Sequence, residues 1–476
     1  MTPPAQIKFG TDGWRGIIAE DFTFDNVRAC AQAVVLYLKE HGLASRGLVV
    51  GHDARFASAD FSLAVAEVAA GNGIRAYVCQ GPTPTPVVCH QVTQSKAGAA
   101  AIITASHNPA RYNGFKVKTS VGGSADPETI ADVEKHIPGV LAGPPPPRIP
   151  YDTAKTRGLV QEVVSYPAYA RDLARLVDME ALKQQNITVI ADSMFGAGTG
   201  YLASILAGGP LKLEEINPQP NPAFPGINPE PIEVNLKRLQ ATVVERRAAV
   251  GLATDGDADR LGLVTETGEF ITQLQTMTLL AYYLLEVRKQ KGAIVKTVTS
   301  SSMLYKLGEM YNVPVLETPV GFKYVSPAMV EHKAVIGGEE SGGYAFRGHV
   351  PERDGILAGL YFLDLMRCTG KTPSQLLALL DDKLGPHRYH RWDIHFAAEQ
   401  REAILKRLEK SDPKVLDGTR VARKDTLDGF RFTLDDGSWL LIRFSGTEPL
   451  MRIYAETQSR ERVDQLLAAG KEMAGA

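Results

Sequence analysis

The stretch "DGDADR" sets Asp255, Asp257 and Asp259 at alternate positions directly after the apolar run "VGLAT". Three carboxylates so close repel one another unless a cation neutralises them, and hard oxygen donors suit Mg2+. A calcium-binding helix–loop–helix is a rival, since Glu266 stands where its twelfth ligand would fall. It fails on context: Arg260 fills the sixth position, where glycine is needed, and "LGLV" continues as strand. Asp255 or Asp257 could instead act as an aspartyl nucleophile at a strand end, which again implies phosphate and Mg2+. The plainest alternative is a solvated acidic turn.

Four other loops carry similar equipment. "TASHNP" (104–109) follows the buried-strand run "AGAAAII" and presents Ser106 beside a histidine. A serine near a divalent metal can hold a phosphoryl group while an arginine such as Arg260 neutralises the remaining charge; Asn108 and Pro109 also explain the segment as an ordinary turn. "RFSGTEP" (443–449) offers a guanidinium, two hydroxyls and flexible backbone donors, as a phosphate clasp would. "GGEESGG" (337–343) presents two carboxylates and a hydroxyl to a ligand such as a sugar. "FGTDGWRG" puts Asp12 and Arg15 in a glycine-rich loop. Each has a bland reading by itself. "FGAGTG" imitates a dinucleotide fingerprint, but Tyr201 takes the third glycine position, so a nicotinamide cofactor is discounted.

The chain around these loops has 476 residues, enough for about three or four domains. A net charge of −2 gives no basic field for nucleic acid or a membrane surface, which leaves a small molecule as the expected partner. Cys30, Cys79, Cys89 and Cys368 lack a C-x-x-C pair, so neither a zinc site nor disulfides are expected. No apolar run approaches a membrane span or a leader peptide, and a cytoplasmic protein is expected.

Three segments repeat one design of strand, loop, amphipathic helix and strand: "GLVVGHDARFASADFSLAVAEVAAGNGIRAYVC", "NITVIADSMFGAGTGYLASILA" and "AIVKTVTSSSMLYKLGEMYNVPVLET". They predict α/β domains with parallel sheets covered by helices. In the first, Ser58 is expected to cap a helix burying Phe61, Val65 and Val68. "GPPPPRIP" marks a boundary, and the proline-rich 216–231 reads as a long ordered loop. Beyond Gly370, "GFRFTL", "DDG" and "SWLLIRF" form a hairpin, and Ser459 caps a last helix. The expected units are 1–147, 148–265 and 266–372, all α/β, and a smaller α+β unit at 373–476.

"FGTDGWRG", "TASHNP", "DGDADR", "GEESGG" and "RFSGTEP" together resemble, in order and interval, the signature loops of the α-D-phosphohexomutases, the phosphoglucomutases and phosphomannomutases. The resemblance spans the chain and implies three similar α/β domains, with mixed, largely parallel sheets, and a fourth smaller domain around a central cleft. It also implies an isomerase that moves a phosphoryl group within a sugar phosphate, with Mg2+ and glucose 1,6-bisphosphate as intermediate and activator. By position, Ser106 resembles the phosphoserine, and Asp255, Asp257 and Asp259 the metal ligands, with a Ser106 phosphoryl oxygen completing the set. Arg15 and Arg260 resemble the cations around the transferring group, Lys116 in "YNGFK" the acid–base lysine, and His349 in "RGHV" a histidine at the reacting hydroxyl. Glu339 and Ser341 look like the sugar readers; Arg443, Ser445, Gly446 and Thr447 look like the clasp for the phosphate not being transferred. "GEESGG" and "HVPERDG" look glucose-like, whereas mannose- and glucosamine-handling relatives often carry histidine where Gly343 stands. Ala258 replaces a glycine found in many relatives. Mannose or dual use is the nearest alternative, and a carboxylate-nucleophile phosphatase or a silent sugar-phosphate sensor the more distant ones. The last domain is expected to move as the intermediate turns round.

Overall fold

Alternation of short β-branched strands with amphipathic helices builds three mixed sheets in succession. The computed structural model describes residues 7–445 and 449–475. The first sheet runs in the order Trp14–Ile17, Tyr112–Lys118, Ala99–Ile103, Leu48–His52, Ala76–Cys79, Val160–Val163. Its last four strands are parallel, and Tyr112–Lys118 is antiparallel to both of its neighbours. The fully buried run Ala99–Ile103 lies inside it, as an uninterrupted apolar strand should. Because Val160–Val163 forms an edge of this sheet, the first unit draws in chain from beyond the proline run.

The second sheet orders Phe270–Ile271, Leu261–Thr265, Val250–Thr254, Thr188–Asp192 and Lys212–Ile216; the third orders Val315–Thr318, Ile294–Thr297, Ile336–Gly338 and Tyr344–Phe346. Each combines parallel and antiparallel pairs. One continuous core joins these two units, and Leu376, Leu380 and Leu384 of the helix Pro373–Leu384 are part of it. A six-stranded antiparallel sheet between Arg388 and Thr457 forms the fourth unit, with Arg401–Lys410 and Arg460–Ala474 packed on it. Phe430, Phe432 and Leu434 are buried there, and Ser459 caps the last helix by accepting from Arg462 N.

The helix Ser58–Gly71 buries Phe61, Val65 and Val68, but Ser58 does not cap it. Ala57 holds that position at φ +57°, and the Ser58 hydroxyl donates to Asp53 Oδ1 at 2.9 Å, a charged acceptor that wins over backbone amides. No helix among the described residues is long and apolar enough to cross a membrane.

Candidate active site

Ser106 stands at φ +51°, a conformation that a non-glycine residue keeps only when its surroundings enforce it. Arg55 does this. Its Nη2 donates to the carbonyls of Ser106 at 2.7 Å and Asn108 at 2.6 Å, and its Nη1 to those of Pro109 at 2.9 Å and Tyr112 at 3.0 Å. Asp53 holds Arg55 Nε at 3.1 Å and the Thr104 hydroxyl at 2.6 Å, and Thr104 Oγ1 accepts from Ser106 N at 2.9 Å. Only a guanidinium has enough donors for this fork.

The loop that holds Ser106 meets the acidic loop of the second unit. Ser106 Oγ donates to Asp255 Oδ2 at 2.7 Å. The approach requires glycine at 256, since a β-carbon there would lie 2.5 Å from Ser106 O. Ala197 of "FGAGTG" donates its amide to Gly256 O at 2.9 Å, so that glycine-rich segment buttresses the acidic loop. The proline-rich loop also abuts it: Gly256 N donates to Pro229 O at 3.2 Å, and Phe224 lies under the Arg55 guanidinium. Ala258 takes φ +57°, which explains why glycine suits that position.

Asp255, Asp257 and Asp259 are fully buried, with candidate ligand oxygens all within 4.8 Å of one another. Asp255 Oδ1 accepts from the amides of Asp259 at 2.9 Å and Arg260 at 3.1 Å. Asp257 Oδ2 accepts from Thr85 Oγ1 at 2.6 Å and Lys116 Nζ at 2.8 Å, while Asp259 Oδ2 takes Lys116 at 3.1 Å and Arg353 at 2.8 Å. Oδ1 of Asp257 and Oδ1 of Asp259 have no hydrogen-bond partner. Buried acceptors left bare beside a third carboxylate fit a hard divalent cation. Burial, followed by the charges of Asp259 and Asp257, pushes the Asp255 carboxyl well above the usual carboxylate range.

Cations surround the triad. Arg15, on the first strand, donates to Asn108 Oδ1, and Arg260 Nη1 donates to Glu230 at 3.2 Å while its Nε, buried and unpartnered, lies 4.0 Å from Asp255 and 3.9 Å from Asp259. Burial opposes the charge on Lys116, but Asp12, Asp257 and Asp259 outweigh it and raise its pKa, so the ammonium stays protonated. His107 Nδ1 lies 3.4 Å from Ser106 Oγ, and burial, together with Arg260, Arg15 and Lys116, holds this imidazole well below its usual pKa.

The third unit reaches the same cluster. Gly343 forms a β-bridge with Arg260, and Gly342 O accepts from Leu261 N at 2.9 Å, which docks the "GEESGG" loop on the acidic loop. Ser341 Oγ is buried and unpartnered. Glu339 Oε1 accepts from Gly321 N at 3.0 Å, and burial raises its pKa. Arg353 joins three units by contacting Asp12, Asp259 at 2.8 Å, Glu339 at 3.5 Å and its neighbour Glu352.

His349 is not brought into this network. Its Nε2 bonds Asp354 Oδ2 at 2.9 Å, and Asp354 caps the helix Gly355–Thr369 and receives the Tyr169 hydroxyl. None of its hydrogen bonds among the described residues reaches Ser106, the aspartates or Lys116. In the fourth unit Arg443 Nε donates to Asp428 at 2.9 Å, Asp428 also receives Val320 N at 2.8 Å, and Ser445 O accepts from Arg401 at 3.0 Å. Gly446 and Thr447 lie outside the described residues. Sequence reasoning missed Arg55, His107 and Arg353 as members of the site. "GHDARF" and "HVPERDG" contain the signals for the two arginines, a charged pair after a strand and a basic residue among acids, whereas His107 stood beside Ser106 in "TASHNP" and was given no role.

A hydroxyl fixed on an acidic triad at the meeting of α/β units suits metal-assisted phosphotransfer. The chain belongs to the phosphoglucomutase/phosphomannomutase family. Models of that family's α/β/α domains I, II and III match residues 6–140, 167–268 and 273–382, and the model of its C-terminal domain matches 401–472. A phosphoglucomutase/phosphomannomutase from Thermococcus kodakarensis is 32% identical over 97% of both chains. A phosphoglucosamine mutase from Carboxydothermus hydrogenoformans is 30% identical over 97% of this chain and 98% of its own. A crystal structure from Thermus thermophilus with a phosphomannomutase designation aligns over 100% of both chains, at 34% identity and a TM-score of 0.85. The protein is therefore a phosphohexomutase, an intramolecular phosphotransferase of the isomerase class.

Proposed function

We propose that this mutase interconverts α-D-glucose 1-phosphate and glucose 6-phosphate through a phosphoserine at Ser106 and a glucose 1,6-bisphosphate intermediate. The observation that carries the reading is Ser106 Oγ at 2.7 Å from Asp255, in a triad whose Asp257 and Asp259 each keep one bare oxygen. Mg2+ held by the three aspartates and the Ser106 oxygen would draw charge from the phosphoryl oxygens.

In the first half-reaction O6 of glucose 1-phosphate attacks the phosphorus on Ser106. The bond from phosphorus to Oγ breaks, the bond to O6 forms, and in balance the proton lost by O6 is replaced by one gained at the departing Ser106 Oγ. Arg15 and Arg260 neutralise the equatorial oxygens, and Lys116, which is protonated, is assigned to give its proton to the departing oxygen and recover the one that the attacking hydroxyl releases. The bisphosphate then turns round, and its 1-phosphoryl returns to Ser106 as glucose 6-phosphate is released. Glu339 and Ser341 read sugar hydroxyls, and Arg443, Ser445, Gly446 and Thr447 hold the phosphate that is not moving. His349 is assigned to positioning Asp354 rather than to the reacting hydroxyl.

Glucose is preferred because "GEESGG" and "HVPERDG" look glucose-like, with Gly343 where mannose- and glucosamine-handling relatives often carry histidine; a β-carbon at Gly343 would lie 2.2 Å from Arg353 Cδ. Mannose is the second reading, and the name of the Carboxydothermus relative brings glucosamine into the comparison. A coupled assay of 1-phosphate to 6-phosphate conversion, with Mg2+ and a trace of the matching bisphosphate, discriminates among the three. Fast glucose turnover, lost in Ser106→Ala, is expected. Faster mannose or glucosamine turnover would reject the glucose assignment and leave the mutase standing.

A further inference from the structure

A cavity of about 190 Å³ lies between the third and fourth units and shares no residue with the site above. Its walls include Arg431, Thr433, Ser438 and Glu456 from the fourth unit, with Lys306 from the third unit and Arg423 exposed beside them. Arg431, Ser438 and Glu456 are only 3%, 2% and 1% exposed. Even so, Arg431 Nε, Thr433 Oγ1, Ser438 Oγ and Glu456 Oε2 have no hydrogen-bond partner. Leaving such groups unpaired costs roughly 1–3 kcal/mol each, so four of them in side chains that line one cavity mark a place for a polar occupant.

The remaining atoms of these side chains are already committed. Arg431 Nη1 donates to Glu317, and Glu456 Oε1 accepts from Ser302 N at 2.9 Å, from the Ser302 hydroxyl and from Trp439 Nε1 at 3.3 Å. Neither side chain can swing to a different partner without breaking the contact between units. Tyr305 and His387 are the rings on the wall, and Lys296 Nζ already lies 4.7 Å over Tyr305, which disfavours a base stacked there. The volume also falls below the roughly 300 Å³ at which drug-sized pockets begin.

We propose that this cavity is a second small-molecule site, for a compact polyol phosphate. Ligand hydroxyls donate to Glu456 Oε2 and accept from Arg431 Nε, the hydroxyls of Thr433 and Ser438 pair with either kind of group, and the phosphate lies at the exposed end with Lys306 and Arg423. Because Ser302 and Lys306 belong to the third unit and the strand residues to the fourth, an occupant ties the two together. Sugar phosphates and glycerol phosphates share this chemistry.

The test titrates glycerol 3-phosphate calorimetrically into the full-length wild type and into Thr433→Val/Ser438→Ala, which removes two hydroxyls at nearly constant volume. Saturable binding to the wild type is expected, at least tenfold weaker in the double variant, whose hexose phosphate turnover stays unchanged. Absent wild-type binding, or equal affinity in both proteins, overturns the proposal. A wild-type crystal soaked with glycerol 3-phosphate checks it without any substitution: density for a phosphate beside Lys306 and Arg423 is expected, and water alone in the cavity overturns it.

Discussion

Two clusters of buried charge hold the units of this chain together, and they differ in what they leave over. Between the third and fourth units, the Glu317 carboxylate is shared by Lys296 at 2.8 Å and by Arg431. Around Ser106, Asp12, Lys116, Lys118, Arg353 and Glu352 form a comparable network, yet Asp257 and Asp259 each keep a bare oxygen next to Asp255. A carboxylate whose charge is taken up by two cations at one oxygen is architecture. Acidity held in place without a partner is a reserved position, and in this molecule it lies beside a serine hydroxyl whose loop is forced into a left-handed turn.

The comparison breaks most sharply at Asp255. Asp255→Asn keeps the shape of the loop but removes one of three repelling charges, so turnover should fall about 10³-fold while the metal-free protein melts no lower than wild type. A large drop in melting temperature would make this cluster structural instead.

Glu317→Gln should do the reverse. Burial opposes the charge on Glu317, but Lys296 and Arg431 outweigh it and hold its pKa at about 2, below its usual 4.5. A carboxylate lowered in this way stabilises the fold fully above pH 4.5 and loses that contribution as pH falls toward 2. The shift corresponds to about 3 kcal/mol near neutral pH. Lys296 shows the opposing side of the same bridge: burial pushes its ammonium down to about 8 despite Glu317. Chemical denaturation from pH 7 to pH 2.5 should show a gap between wild type and variant that narrows with acid, and a constant gap would contradict the pairing.

Arg55→Lys comes next. Losing the guanidinium fork from four carbonyls should cost about 2 kcal/mol and lower kcat more than it raises KM, because the loop that presents Ser106 loosens. Equal stability would show that the left-handed turn holds itself. The smallest effect is expected at Gly343→Ala, whose β-carbon must displace the Arg353 stem; a rise in KM of about tenfold for glucose 1-phosphate follows, and an unchanged KM would count against the "GEESGG" loop as the sugar reader.

The signature loops were legible in the sequence because each is a continuous run with its chemistry written side by side. What brings them together was not. Ser106 and Asp255 meet from different units, and Arg55 acts on backbone carbonyls that no pattern of side chains reveals. Ser58 looked like a helix cap because serine before an apolar periodicity usually is one, but Asp53 five residues earlier claims its hydroxyl. His349 looked available until Asp354, which also caps the next helix, took its Nε2. Alternating strands and helices predicted the three α/β units, whereas the apolar face of Pro373–Leu384 could not say which core would receive it. Leu376, Leu380 and Leu384 fill the core of the second and third units, not that of the fourth.

The central claim is that Ser106, not an aspartate, carries the phosphoryl group. Incubating the protein with glucose 1,6-bisphosphate and Mg2+, then mapping the modified residue by peptide mass spectrometry, tests it directly. One phosphoryl group on Ser106, resistant to hydroxylamine and absent from Ser106→Ala, is the expected result. A hydroxylamine-labile phosphoryl on Asp255 or Asp257 that persists in Ser106→Ala would contradict it.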